Sequence, residues 1–274
     1  MHIADQNELI AVEQRGRANL SPNMNPGLNF TDLAEGFRRH FEIVPALNEE
    51  LCQAVFRIRH EVYCRDLGYE PLRPDGLETD AYDRHALHCL LRTADERNAP
   101  VGCVRLVLPS LDQPERPFPF EVTCAETLDR ALFDPTGVAR ERMAEVSRLA
   151  VLADFRRRKG EGGQPLALQD EAFGSVRRPR FPFIPVGLYL GSIALALHHG
   201  IDHLFMLTEP RLAVHFEKIG FVIERIGGAV EHRGTRIPSL LRGRETVDAL
   251  RPGLKDMYAL IERSIQEAYA ARSR

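Results

Sequence analysis

Residues 143 to 152 read MAEVSRLAVL, an apolar run of the kind that fills a central strand, interrupted by Glu145, Ser147 and Arg148. Burying a carboxylate or a guanidinium costs roughly several kcal/mol unless the group is paired or put to use. A carboxylate in a partly desolvated cleft has its pKa raised, which suits it to act as a general base, directly or through a water. The plainer alternative is a Glu145–Arg148 pair that merely fixes the strand. Side chains alternate along a strand, so Glu145 and Ser147 share a face, while Arg148 points the other way unless a bulge redirects it.

Other charged residues fall in apolar settings too. Arg105 lies inside VGCVRLVLP, and Arg59 lies on the edge of a helical apolar face, three residues after Phe56 and four before Tyr63. An unpaired cation there would be costly, and the following loop offers Glu78, Asp80 and Asp83 as anions. Further on, DFRRRKGEGG places Arg157, Gly160 and Gly162 at the R-x-x-G-x-G spacing with which backbone N–H groups wrap a pyrophosphate, Arg158 and Lys159 lying between them. The helix that should follow at once is delayed by VRRPRFPFIP. The basic residues Arg156 to Lys159, with Arg177, Arg178 and Arg180, offer a docking charge for an acidic partner or form a solvated loop. His199 and His203 have the spacing of a helical metal pair, but Gly200 and Asp202 read as a helix end and no third ligand follows, so no metal is assigned.

The chain that must position these groups has 274 residues, 44% hydrophobic and 27% charged, which suffices for a sizeable core. Its net charge of −3 gives no basic field and no compositional support for nucleic-acid binding. Five cysteines without CxxC or zinc spacing favour a reducing cytoplasm. No export signal is visible, and the longest apolar run, VGLYLGSIALAL, is too short to cross a bilayer. A cytoplasmic protein is expected, with peripheral membrane association left open.

Residues 1–30 read as a polar arm and 31–274 as one domain. FEIVPAL reads as a first strand, and Asn48 as the cap of a helix to about Asp66 with Leu51, Val55, Ile58 and Val62 on its buried face. HALHCLL and PVGCVRLVL read as an antiparallel pair, followed by an excursion with no assignable fold and then the strand carrying Glu145. An apolar helix from about Gly187 to His199, a strand HLFMLT, a short helix from Pro210 to Gly220, strands in FVIERIGG and TRIPSLLRG, and a helix over 251–272 complete the chain. Strands in runs with interposed helices indicate a mixed α+β sheet.

FRIRHEVYCRDLGYE, DGLETDAYD and AEVSRLAV, in that order and spacing over about residues 50 to 150, resemble the acyl-homoserine-lactone synthases and the long-chain N-acyl amino acid synthases. The resemblance is strongest to the acyltransferases associated with the exosortase (PEP-CTERM) system. All share the N-acetyltransferase-like fold, which LFMLTEPRLAVHFEKIGF also resembles. The resemblance implies an α/β fold with a mostly antiparallel central sheet, splayed and bulged at the fourth strand, where free backbone N–H groups steady an oxyanion. It makes Glu145 the general base, sets Ser147, Arg148 and Arg105 around it, and places Arg59, Tyr63, Tyr69, Glu78, Asp80, Tyr82 and Asp83 about the acceptor amine. Acyl carrier protein or coenzyme A would present the acyl donor, with no covalently bound cofactor. Tyr69 stands where lactone synthases typically carry Trp, which favours an amino acid or another amine over S-adenosylmethionine as acceptor. Where many N-acetyltransferases place a Tyr acid, Phe216 stands beside His215, so the general acid is unassigned. A non-catalytic acyl-binding module and an acetyl-coenzyme A-dependent acetyltransferase are the other readings.

Overall fold

The computed structural model describes residues 33–156, 174–175, 178–179 and 183–273. The arm over 1–30 and the cofactor-loop residues Arg157, Arg158, Lys159, Gly160 and Gly162 lie outside the described residues. Helix α1 (Leu33–His40) leads into β1 (Phe41–Pro45), and α2 (Glu49–Arg59) continues through a π-helical turn, His60–Asp66. Asn48 caps α2 as its residue type predicts, its side chain accepting from Leu51 N at 2.9 Å.

Strands β2 (Ala86–Thr93), β3 (Pro100–Val107) and β4 (Met143–Val151) follow, the excursion between the last two containing the short helix α3 (Pro119–Thr123). Two-residue strands β5 (Gly174–Ser175) and β6 (Arg178–Pro179) pair only with each other. Helix α4 (Phe183–His198) precedes β7 (His203–Thr208), α5 (Pro210–Lys218), β8 (Ile223–Arg225), β9 (Val230–Glu231), β10 (Thr235–Arg242), α6 (Gly243–Ala249) and α7 (Pro252–Arg272). Helix α4 begins four residues before the expected Gly187, and α6 has no counterpart in the sequence reading. FVIERIGG supplies only a three-residue strand.

The main sheet runs β1-β2-β3-β4-β7-β10-β8, with β9 on β10. Its pairings are antiparallel except β4 with β7, which are parallel only from Met143–His203 to Glu145–Phe205. Beyond Glu145 the two strands diverge. This is the splay expected at the fourth strand.

Strand alternation divides the core. Ile43, Leu91, Val104 and Leu106 face α4 and α7, whereas Val44, Leu90 and Cys103 face α2. On the α2 side a separate cluster gathers Val107, Met143, Phe205, Phe118 and Phe120 under the excursion. Arg105 sits between Cys103 and Val107 along β3, so it emerges on this face between the two clusters. Ser147 opposite Arg105 and Glu145 opposite Val107 emerge there as well.

Candidate active site

At the seam between those clusters, a cleft of about 330 Å³ is lined by Glu145, Ser147, Arg148, Arg105, Asp80, Tyr63, Tyr69 and Tyr82. Its other wall carries Tyr189, Met206, Glu209, His232, Arg233 and Arg236. The eight residues named first were all singled out in the sequence.

Glu145 is 5% exposed, and its Oε2 accepts from the Phe120 backbone N–H at 2.7 Å. It forms no ion pair among the described residues, so the pairing with Arg148 that would make it merely structural is not the one adopted. Burial pushes its pKa up to about 8, against the lowering effects of the Phe120 N–H, Arg105 and Arg148. It is thus a carboxyl able to change protonation state near neutral pH.

Arg148 does not follow strict alternation. Cys103 pairs with Ala150 and Arg105 with Ser147, so two residues of β4, Arg148 and Leu149, oppose Val104 alone. This bulge holds Arg148 at φ +51°, a left-handed conformation uncommon for a non-glycine residue. The kink turns Arg148 to the side where Arg105 lies, and it reaches Asp80 at 3.1 Å, Glu78 at 3.2 Å and Glu70 at 3.3 Å. Its guanidinium also lies 5.5 Å from the Tyr63 ring centroid. The Tyr63 hydroxyl donates to Leu149 O at 2.9 Å, pinning the π-helical turn to the bulge.

The acids of the loop are taken by arginines. Arg59, fully buried, forks onto Asp83 at 2.7 and 3.1 Å and reaches Glu78 at 2.5 Å. Arg105 bonds Asp80 at 2.7 Å, Asp83 at 2.9 Å and Ser147 Oγ at 3.1 Å. Arg233 closes the network on Glu70. Desolvation alone would raise Glu78, Asp80 and Asp83, but their hydrogen bonds and proximity to the guanidinium groups hold all three below the ordinary carboxylate range. His88, across from Arg105 in the sheet, is pushed down to about 4 by burial and Arg59, and so is neutral.

Of the residues expected around an acceptor amine, Arg59, Glu78 and Asp83 therefore stand behind the cleft wall, where a buried guanidinium has drawn the two acids inward. Asp80, with its side chain 26% exposed, is the loop acid that faces the cleft. The sequence reading missed Glu70, Tyr189, Glu209, His232, Arg233 and Arg236. Glu70 directly follows Tyr69, but Tyr189 is masked by an apolar helix, and the three basic residues lie in or beside the β9–β10 hairpin, which reaches the site only because β10 pairs with β7.

A mostly antiparallel sheet whose single parallel pair splays beside a buried carboxyl is the N-acetyltransferase-like fold. The family model described as acetyltransferase (GNAT) domain matches residues 58–162, from the end of α2 past β4. Among solved structures, the AHL synthase LasI is 17% identical with a TM-score of 0.52, the match covering 77% of this chain and 93% of that one. The CoA-dependent acyl-homoserine lactone synthase MesI is 20% identical with a TM-score of 0.51, over 80% and 95% of the two chains. BjaI, another CoA-dependent acyl-homoserine lactone synthase, solved with SAM and isopentyl-CoA, is 21% identical with a TM-score of 0.50, over 82% and 89%. A comparison with curated proteins found no match.

Proposed function

We propose that this protein is an N-acyltransferase that moves a fatty acyl group from a thioester to the amine of a small acceptor, forming an amide. The observation that carries the reading is Glu145: a buried carboxyl, unpaired by any cation among the described residues, on the wall of a cleft at the splay of the sheet. Its pKa of about 8 suits it to receive the amine's proton near neutral pH. Past Glu145, β4 and β7 no longer pair with each other, so the edges of the splay offer backbone N–H groups for a thioester carbonyl whose oxygen becomes charged. Asp80, bonded to Arg105 and Arg148, and Glu209, paired with Arg236 at 3.1 Å, line the cleft as hydrogen-bond acceptors for the amine's N–H groups, and Ser147, held by Arg105, fixes the floor.

The donor in this reading is a thioester on acyl carrier protein or coenzyme A, in line with the CoA-dependent synthases of similar fold. The acceptor is an amino acid or related small amine. The sequence resemblance to exosortase-associated acyltransferases supplies the proposed cellular setting. Free-thiol release from long-chain acyl thioesters in a pool of amines, with products followed by mass spectrometry, tests the whole. A new acyl amide is expected. Donor binding with neither thiol release nor amide would overturn the catalytic reading.

A further inference from the structure

Tyr189 offers the cleft a hydroxyl that no protein group among the described residues engages. It is 8% exposed, and its hydroxyl makes no hydrogen bond among the described residues. The hydroxyl opens to the cleft rather than being sealed in the core, so it is free to donate to a ligand seated there. Its ring is fixed by edge contacts with Phe216, 4.4 Å between centroids, and Phe221, at 6.4 Å. The groups acting electrostatically on the hydroxyl, Glu209, Tyr63 and Arg236, all line the cleft.

Position identifies which part of the ligand it meets. Glu145 emerges on the face of the sheet covered by α2 and the excursion, whereas Tyr189 belongs to α4 and packs in the cluster on the opposite face. Both border the one cleft because β4 and β7 part beyond Glu145. A thioester seated in that opening has Glu145 toward one face and Tyr189 toward the other. An amine deprotonated by Glu145 attacks from the first side, leaving the sulfur directed to the second.

We infer that Tyr189 is the hydrogen-bond donor to the departing sulfur, an assignment that rests on the acyl-transfer reading above. Attack of the amine nitrogen forms the C–N bond and places charge on the carbonyl oxygen. Collapse restores the C=O bond and breaks C–S, its electron pair staying on sulfur. Glu145 takes the amine's proton and returns it to solvent; the thiolate accepts the Tyr189 O–H bond and gains its own proton from solvent. The phenol stays neutral throughout, because burial holds its pKa above the ordinary value.

The test compares acyl transfer by the wild type and Tyr189→Phe from two thioesters of the same acyl chain: one on pantetheine, the other on a more acidic aryl thiol that leaves unaided. Removing one donor from a developing charge costs on the order of 10²-fold in rate, so that loss is expected with the pantetheine ester and little loss with the aryl ester. Tyr258→Phe, which removes a buried phenol bonded to Glu262 in α7, controls for packing and is expected to leave both rates unchanged. Equal losses with both esters, or none with either, would overturn the assignment while leaving acyl transfer intact. A wild type that forms no amide from either ester would overturn the acyl-transfer reading itself.

Discussion

Glu145 meets two opposing demands: burial keeps it protonated, and general-base chemistry needs it ionised. With a pKa of about 8, its ionised fraction falls about tenfold per pH unit below that point, so kcat/KM should climb with pH and level off above about 8. Glu145→Gln keeps the shape and the acceptor for the Phe120 N–H, and turnover should fall by roughly 10²–10⁴-fold. Stability should move the other way. The folded pKa lies above the unfolded value of about 4.3, so the contribution of this group is full below that pH and declines as pH rises toward about 8. Urea midpoints at pH 8 should therefore be no lower for Glu145→Gln than for the wild type, and a large fall would mean a structural role. The sequence showed this residue clearly, since a carboxylate in an apolar strand is conspicuous. Its hydrogen-bond partner was not legible, because Phe120 lies in an excursion whose aromatic and proline residues follow no helical or strand period.

At the scale of elements, two devices hold the cleft: the Arg59 network and the bulge in β4. Arg59→Ala would leave Glu78 and Asp83 without their main partner in a dry interior, and a loss of about 3–5 kcal/mol in chemical denaturation is expected. Beside the bulge, β3 and β4 approach so closely that a Cβ on Gly102 would lie 2.7 Å from Ala150 O. Gly102→Ala should cost about 1–3 kcal/mol by forcing the strands apart, and should lower the acyl-transfer rate with it. The capped α2 and the β2–β3 pair were readable because they depend on local chemistry: Asn48, the 3.6-residue apolar spacing and a polar turn. The turn of Arg148 onto the Arg105 face was legible only through the family resemblance to a bulged fourth strand, because alternation alone assigns it to the other side and the extra residue shows only in the register against β3. Arg59 was placed on a helix edge, but the fold buries it completely, for the acids that neutralise it come from a loop that helical spacing cannot position.

Across the whole molecule, charge is balanced within the site: Arg59, Arg105, Arg148 and Arg233 face Glu70, Glu78, Asp80 and Asp83. The depressed pKa values of Glu78, Asp80 and Asp83 stabilise the fold fully above their unfolded values near 4, and this is lost as pH falls through the folded ones. Thermal unfolding should therefore show a Tm that drops as pH is taken below about 4, with a shallower drop in Arg59→Ala. The mixed sheet was legible from the order of strands and helices, and the splay only through family resemblance, since neither parallel pairing nor its early end leaves a local mark. The sequence leaves α4 open between a border of the acyl site and plain core, since an apolar helix serves either, and Tyr189 reaches the cleft only because the sheet opens beside it. Acyl transfer dependent on Glu145 is the central claim. Its most direct test is the simultaneous time course of free thiol and N-acyl amide from a long-chain acyl thioester and an accepted amine, with wild type and Glu145→Gln compared at pH 8. The account predicts thiol and amide rising in equal amounts with the wild type and nearly flat traces with the variant; thiol without amide, or equal rates in both proteins, would contradict it.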